Sequence, residues 1–85
     1  MSKYHPVRHF LENAATSASE MTLTFQQTEQ ILCFALPASA RKHRAWWANE
    51  YGPSAHIQAK SWLSAGWEVD TVDQVQDWVR FRRSR

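Results

Sequence analysis

Two glycines, three prolines and one cysteine are few for 85 residues, and each scarcity excludes something. A lone Cys33 cannot form an internal disulfide, which fits a reducing, cytoplasmic setting. Two glycines cannot furnish a glycine-rich phosphate loop. No run approaches the roughly 18 apolar residues of a membrane span. The opening MSKYHPVRHF has no apolar core of a secretory signal, so a soluble chain with no membrane partner is expected. Internal repeats, low-complexity tracts and linkers are absent as well. One domain is therefore expected over residues 1–85, with a helical part over 4–65 and a C-terminal β-hairpin over 67–83.

What the chain does have is aromatic bulk. Five Trp, four Phe and two Tyr supply core volume that a chain this short would otherwise lack. The net charge of +2 is unevenly spread: residues 1–37 carry −1 and residues 38–85 carry +3. The basic residues cluster at Arg41/Lys42/Arg44 and at Arg80/Arg82/Arg83/Arg85. Such asymmetry points to an anionic partner.

The periodicities predict an α+β fold of three to four short helices closed by the hairpin. Pro6 opens a first helix, with Val7, Phe10 and Leu11 on one face. MTLTF alternates as a short strand, and Thr24 with Gln27 has the spacing of a capping box. The helix behind that box carries Phe25, Thr28 and Leu32 inward, and Pro37 disfavours helix at Leu36. A third helix is expected from Pro37 through the WWAN stretch. It aligns Leu36, Ala40, His43 and Trp47 toward the core, and turns Trp46 toward Lys42 and Asn49. Gly52 and Pro53 break it. A fourth helix would bury Ala55, Ala59, Trp62 and Leu63, turn Ile57, Lys60/Ser61 and Ser64 outward, and stop at Gly66. The order suggests a winged helix-turn-helix or a close relative.

Enzymatic constellations are not evident. His5 and His9 have helical i, i+4 spacing but no third metal ligand, so neither a metal nor any other cofactor is expected. Cys33 reads as a buried, inert thiol. Glu68, Asp70, Asp73 and Asp77 read as a solvated hairpin face. The basic clusters carry more. In a helix-turn-helix the second helix enters the major groove. Here the helix opening at Pro37 would present Ser39, Arg41, Lys42 and Arg44, with Trp46 able to stack on a base or sugar. Lys60 joins them from the next helix. Arg80, Arg82 and Arg83, with the tail to Arg85, would meet phosphates from the hairpin.

The stretches LPASAR (Leu36–Arg41), WWAN (Trp46–Asn49) and QAKSWLSAGWEV (Gln58–Val69) resemble the LPxSAR, WWAN and QAxxWLxAGWxV signature of a small bacterial domain family of uncharacterised function. The resemblance runs from Tyr4 to Arg83. It implies no activity. The family's copies stand alone or are joined to other proteins, which suits a binding domain. The family pattern has Gly after "IL", where this chain has Cys33.

The leading expectation is a non-enzymatic domain that binds nucleic acid, foremost double-stranded DNA, with a homodimer left open. The alternative is a protein-interaction module, such as a phage or mobile-element inhibitor of a host complex, because Trp and Arg also dominate interface hot spots.

Overall fold

The structure is a computed structural model and describes residues 2–84. The chain runs α1 (His5–Glu12), β1 (Glu20–Thr24), α2 (Phe25–Leu32), α3 (Ala38–Lys42), a 3-10 turn (Arg44–Trp47), α4 (Ile57–Ser64), β2 (Trp67–Asp73) and β3 (Trp78–Arg83). The fold is α+β. The expected C-terminal hairpin is β2–β3, but it does not stand alone. β1 pairs antiparallel with the free edge of β3, giving a three-stranded sheet of order β1–β3–β2. The last strand is thus the central one.

Pleat alternation sets the inner face of the sheet. Leu23 pairs with Val79, and Met21 and Val69 flank Phe81. A bulge between Val69 and Thr71 lets Val72 pair with Val79, so Val69 and Val72 both face inward. Asp70 and Thr71 consequently both reach the outer face, where each bonds Arg80.

Helix ends follow their local chemistry. Thr24 Oγ1 accepts from Gln27 N–H while Gln27 Oε1 accepts from Thr24 N–H, the capping box expected from the sequence. Phe25, Thr28 and Leu32 are buried as expected. α2 ends because Cys33 adopts the left-handed region at φ 64°, a conformation that glycine takes without steric cost. In that position the thiol is exposed, so the expectation of a buried Cys33 is corrected. Gly66, at φ +87°, terminates α4 as its spacing predicts. On α1, Val7 and Leu11 are buried while Phe10 lies at the rim.

The long third helix does not form. α3 stops at Lys42, His43 is extended at φ −119°, ψ 115°, and only the 3-10 turn follows. No Gly or Pro lies between Ala38 and Tyr51, so the break comes from packing rather than from a local breaker. A straight helix would leave Trp46 and Trp47 about 100° apart. The break lets both rings meet the core. Trp47 is 1% exposed and donates its indole N–H to Ala40 C=O at 2.8 Å. Trp46 is half-buried against Tyr4, Trp47 and Trp62. The Trp47 ring is stacked between Phe25 and Trp62, and Trp62 leans on Phe81. Each such contact adds about 0.5–1.5 kcal/mol beyond area burial. Trp67 completes the layer by donating to Leu11 C=O at the end of α1.

Candidate nucleic-acid interface

The residues singled out for phosphate contact divide sharply by their partners. On the outer sheet face, Arg80 reaches Asp70 at 3.1 Å and Glu20 at 3.9 Å. Arg82 reaches Glu68 at 2.8 Å and Asp70 at 3.2 Å, and Tyr51 donates to Glu68 at 3.4 Å. The cross-strand register makes these pairs, since Glu68 lies opposite Arg82 and Thr71 opposite Arg80. The hydrogen bond from Arg80 holds the Asp70 carboxyl below its ordinary range, and the bond to Glu68 raises Arg82 above its own. Of the hairpin carboxylates expected as a solvated face, Glu68 and Asp70 are thus ion-pair partners, whereas Asp73 accepts the Val75 and Gln76 N–H groups of the turn.

Arg83 is engaged differently. It donates to Ala18 C=O at 2.6 Å and Ala15 C=O at 2.9 Å, and its guanidinium lies 4.5 Å from the Trp67 ring centroid. This fork ties the loop between α1 and β1 to the sheet. Arg85 lies outside the described residues. Arg41 bridges Glu29 at 2.9 Å and Asp77 at 3.4 Å, over the ring of Phe25. Glu29 also accepts from Leu36 N–H at 2.7 Å. That bond, and then Arg41, lowers its pKa. Arg41, Arg80, Arg82 and Arg83 therefore brace the fold, and a phosphate would have to displace partners they already hold.

Lys42 and Arg44 are different. Both are exposed, and among the described residues neither has a carboxylate partner. They flank the extended His43, at the break between α3 and the 3-10 turn. Beside that break is a groove of about 400 Å³ lined by Ser39, His43, Trp46, His56 and Gln58. Ser39 and Trp46, two residues chosen from the sequence, thus share one cleft, and Lys42 and Arg44 adjoin its lining residue His43 along the chain. The third cation with little engagement is Lys60 on α4, whose amine makes only a 3.4 Å contact to Pro53 C=O. Among the described residues no three His, Cys, Asp or Glu side chains assemble to hold a metal ion. Among the described residues no helix is long and apolar enough to cross a membrane.

The sequence profile described as a domain of unknown function, DUF7662, matches residues 4–84. The chain belongs to the DUF7662 family. No curated protein and no solved structure matches it.

Within this DUF7662 domain, the LPASAR and WWAN stretches form structural joints. Arg41 of LPASAR makes the Glu29 and Asp77 pairs. Asn49 of WWAN is a residue whose role sequence reasoning missed. Its Oδ1 accepts from Val69 N–H at 2.8 Å and from the Trp62 indole at 3.1 Å, and its Nδ2 donates to Val69 C=O at 2.9 Å. Spacing alone gives no signal for that bracket, because Asn49 and Val69 meet only in the tertiary fold. His56 and Glu50 form a further pair at the start of α4, and the hydrogen bond from His56 lowers the Glu50 pKa.

Proposed function

We propose that this chain is a small, non-enzymatic, cytoplasmic domain that binds double-stranded DNA in the manner of a winged helix. The observation that carries the reading is the order of elements. A winged helix runs helix, strand, helix, helix, strand, strand, and its last strand lies centrally. Here α1, β1, α2, α4, β2 and β3 follow that order, with the sheet arranged β1–β3–β2. The short α3 and the 3-10 turn are an insertion between the two central helices. The recognition helix in this arrangement is α4, the helix directly before β2, and not the segment opening at Pro37. A five-residue α3 is too short to span a groove. The cations suited to phosphate contact are Lys42 and Arg44, since the sheet arginines have carboxylate partners, while Lys60 lies on α4 itself. Loss of a counterion-releasing contact lowers the salt slope by about 1.

The test is fluorescence anisotropy of random-sequence duplex DNA over a salt series, with wild type and with Lys42→Ala and Arg44→Ala. Steep salt dependence that lessens in both variants supports the reading. Absence of duplex binding at low salt would falsify it. The protein-interaction alternative draws on Trp and Arg abundance, yet Trp47, Trp62 and Trp67 are buried and four arginines are engaged.

A further inference from the structure

One side of α4, with Ile57, Lys60 and Ser64 exposed and Ser61 buried against the expectation that it faces outward, forms one wall of a groove of about 230 Å³. Ile57, Lys60, Ser61 and Ser64 come from α4, and His5 and Arg8 from α1. No carboxylate lines it. Arg8 holds Glu12 at 3.1 Å one turn further along α1. Lys60 is therefore the one charged group on the α4 wall, with one apolar group beside it: Ile57 is 46% exposed although it opens a helix that buries Ala59 and Trp62. The hydroxyls of Ser61 and Ser64 already donate to Gln58 C=O and Ser61 C=O, so they have no proton left for a ligand. Ile57 and Lys60 are the two side chains on this wall able to discriminate.

We propose that Ile57 and Lys60 read a thymine next to a guanine in the major groove. This rests on the winged-helix reading of α4. The major groove displays one apolar group, the thymine C5 methyl, and a paired acceptor, guanine O6 and N7. Ile57 packs on the methyl, and the Lys60 ammonium donates to the guanine acceptors. The spacing fits. Three residues of helix advance about 4.5 Å, close to the roughly 3.4 Å between successive nucleotides. The two side chains thus address the same or adjacent base pairs. The 3.4 Å contact of Lys60 with Pro53 C=O is long and leaves its amine available for exchange.

The experiment is selection of bound duplexes from a random library by the whole chain, followed by anisotropy on the selected site. Its thymine is then replaced by deoxyuridine, which removes only the methyl. The expected result is enrichment of a T–G pair of neighbours and a loss of roughly five- to tenfold on deoxyuridine substitution in wild type. Ile57→Ala should bind the thymine and deoxyuridine duplexes equally. Lys60→Gln should accept other bases at the guanine. Circular dichroism checks that both variants fold. Salt-dependent duplex binding with no enriched sequence, or with thymine and deoxyuridine bound alike by wild type, would overturn the readout and leave DNA binding standing. So would a methyl effect that persists in Ile57→Ala. No duplex binding at all overturns both.

Discussion

The side-chain amide of Asn49 takes both backbone groups of Val69, accepting its N–H at 2.8 Å and donating to its C=O at 2.9 Å. β2 is an edge strand, and at Val69 the amide supplies the pairing that another strand would otherwise provide. The same Oδ1 holds the Trp62 indole. One side chain thereby fixes the 3-10 segment, α4 and β2 to one another.

Asn49→Ala should therefore destabilise the domain by about 2–3 kcal/mol, since it leaves three polar groups without their partners. Asn49→Asp keeps the acceptor but turns a carboxylate oxygen toward Val69 C=O, and should be comparably harmful at neutral pH. Urea denaturation followed by tryptophan fluorescence measures both. A midpoint within error of wild type for Asn49→Ala would remove the bracket from the account of stability.

Glu29 predicts a pH effect. Its carboxylate accepts from Leu36 N–H and Arg41, and its pKa is lowered in the fold. A depressed folded pKa gives stability that is present above the unfolded value and is lost as pH falls through the folded one. Glu29→Gln should hence be less stable than wild type at neutral pH. The gap should close in acid, below the ordinary carboxylate range. Thermal melts across pH 3–7 (about this span suffices) check it, and a gap that widens in acid would contradict the pairing.

Cys33 sits at φ 64° with its side chain exposed. A non-glycine residue there carries a steric cost of roughly 1–2 kcal/mol, partly offset by the extra unfolded-state entropy of glycine. Cys33→Gly should raise stability by about 0.5–1 kcal/mol, or roughly 2–6 °C in Tm for a domain of this size. Cys33→Ala should leave Tm nearly unchanged. Calorimetry on the two variants separates backbone relief from loss of the thiol.

The arginines offer a contrast. Arg82→Ala removes exposed ion pairs with Glu68 and Asp70, and water and salt screen such pairs so that they contribute little to stability. It should change stability slightly and leave duplex affinity within about twofold, while Arg44→Ala lowers the salt slope by about 1. A larger binding loss for Arg82→Ala than for Arg44→Ala would return the interface to the hairpin.

Local chemistry was legible in the sequence where it is self-contained. Thr24 and Gln27 cap α2, Gly66 ends α4, and Val79 and Phe81 alternate inward on β3. These follow from spacing and backbone sterics within a few residues. The break at His43 was not legible, because the demand that bends the chain comes from Tyr4, Phe25 and Trp62, remote in sequence. The engagement of Arg80 and Arg82 was hidden for a similar reason. It depends on register and on the bulge that brings Asp70 and Thr71 to one face. For the candidate site, residue type selected Lys42, Arg44 and Trp46, but which arginines lack partners is a property of the sheet.

The central place of β3 has a consequence for how the domain acquires its shape. Glu20 pairs with Arg82 and Trp67 with Arg83, so both neighbours of that strand wait for residues 78–83. Every sheet hydrogen bond is made with residues 78–83. Helices α1, α2 and α4 can nucleate earlier, but the layer that covers Phe25, Trp47 and Trp62 closes only when that strand slots between the other two. Contacts between chain positions this distant slow folding. Until residues 78–83 are in place the aromatic surface of Phe25, Trp47 and Trp62 stays uncovered, so closure of the sheet and completion of the core are one event.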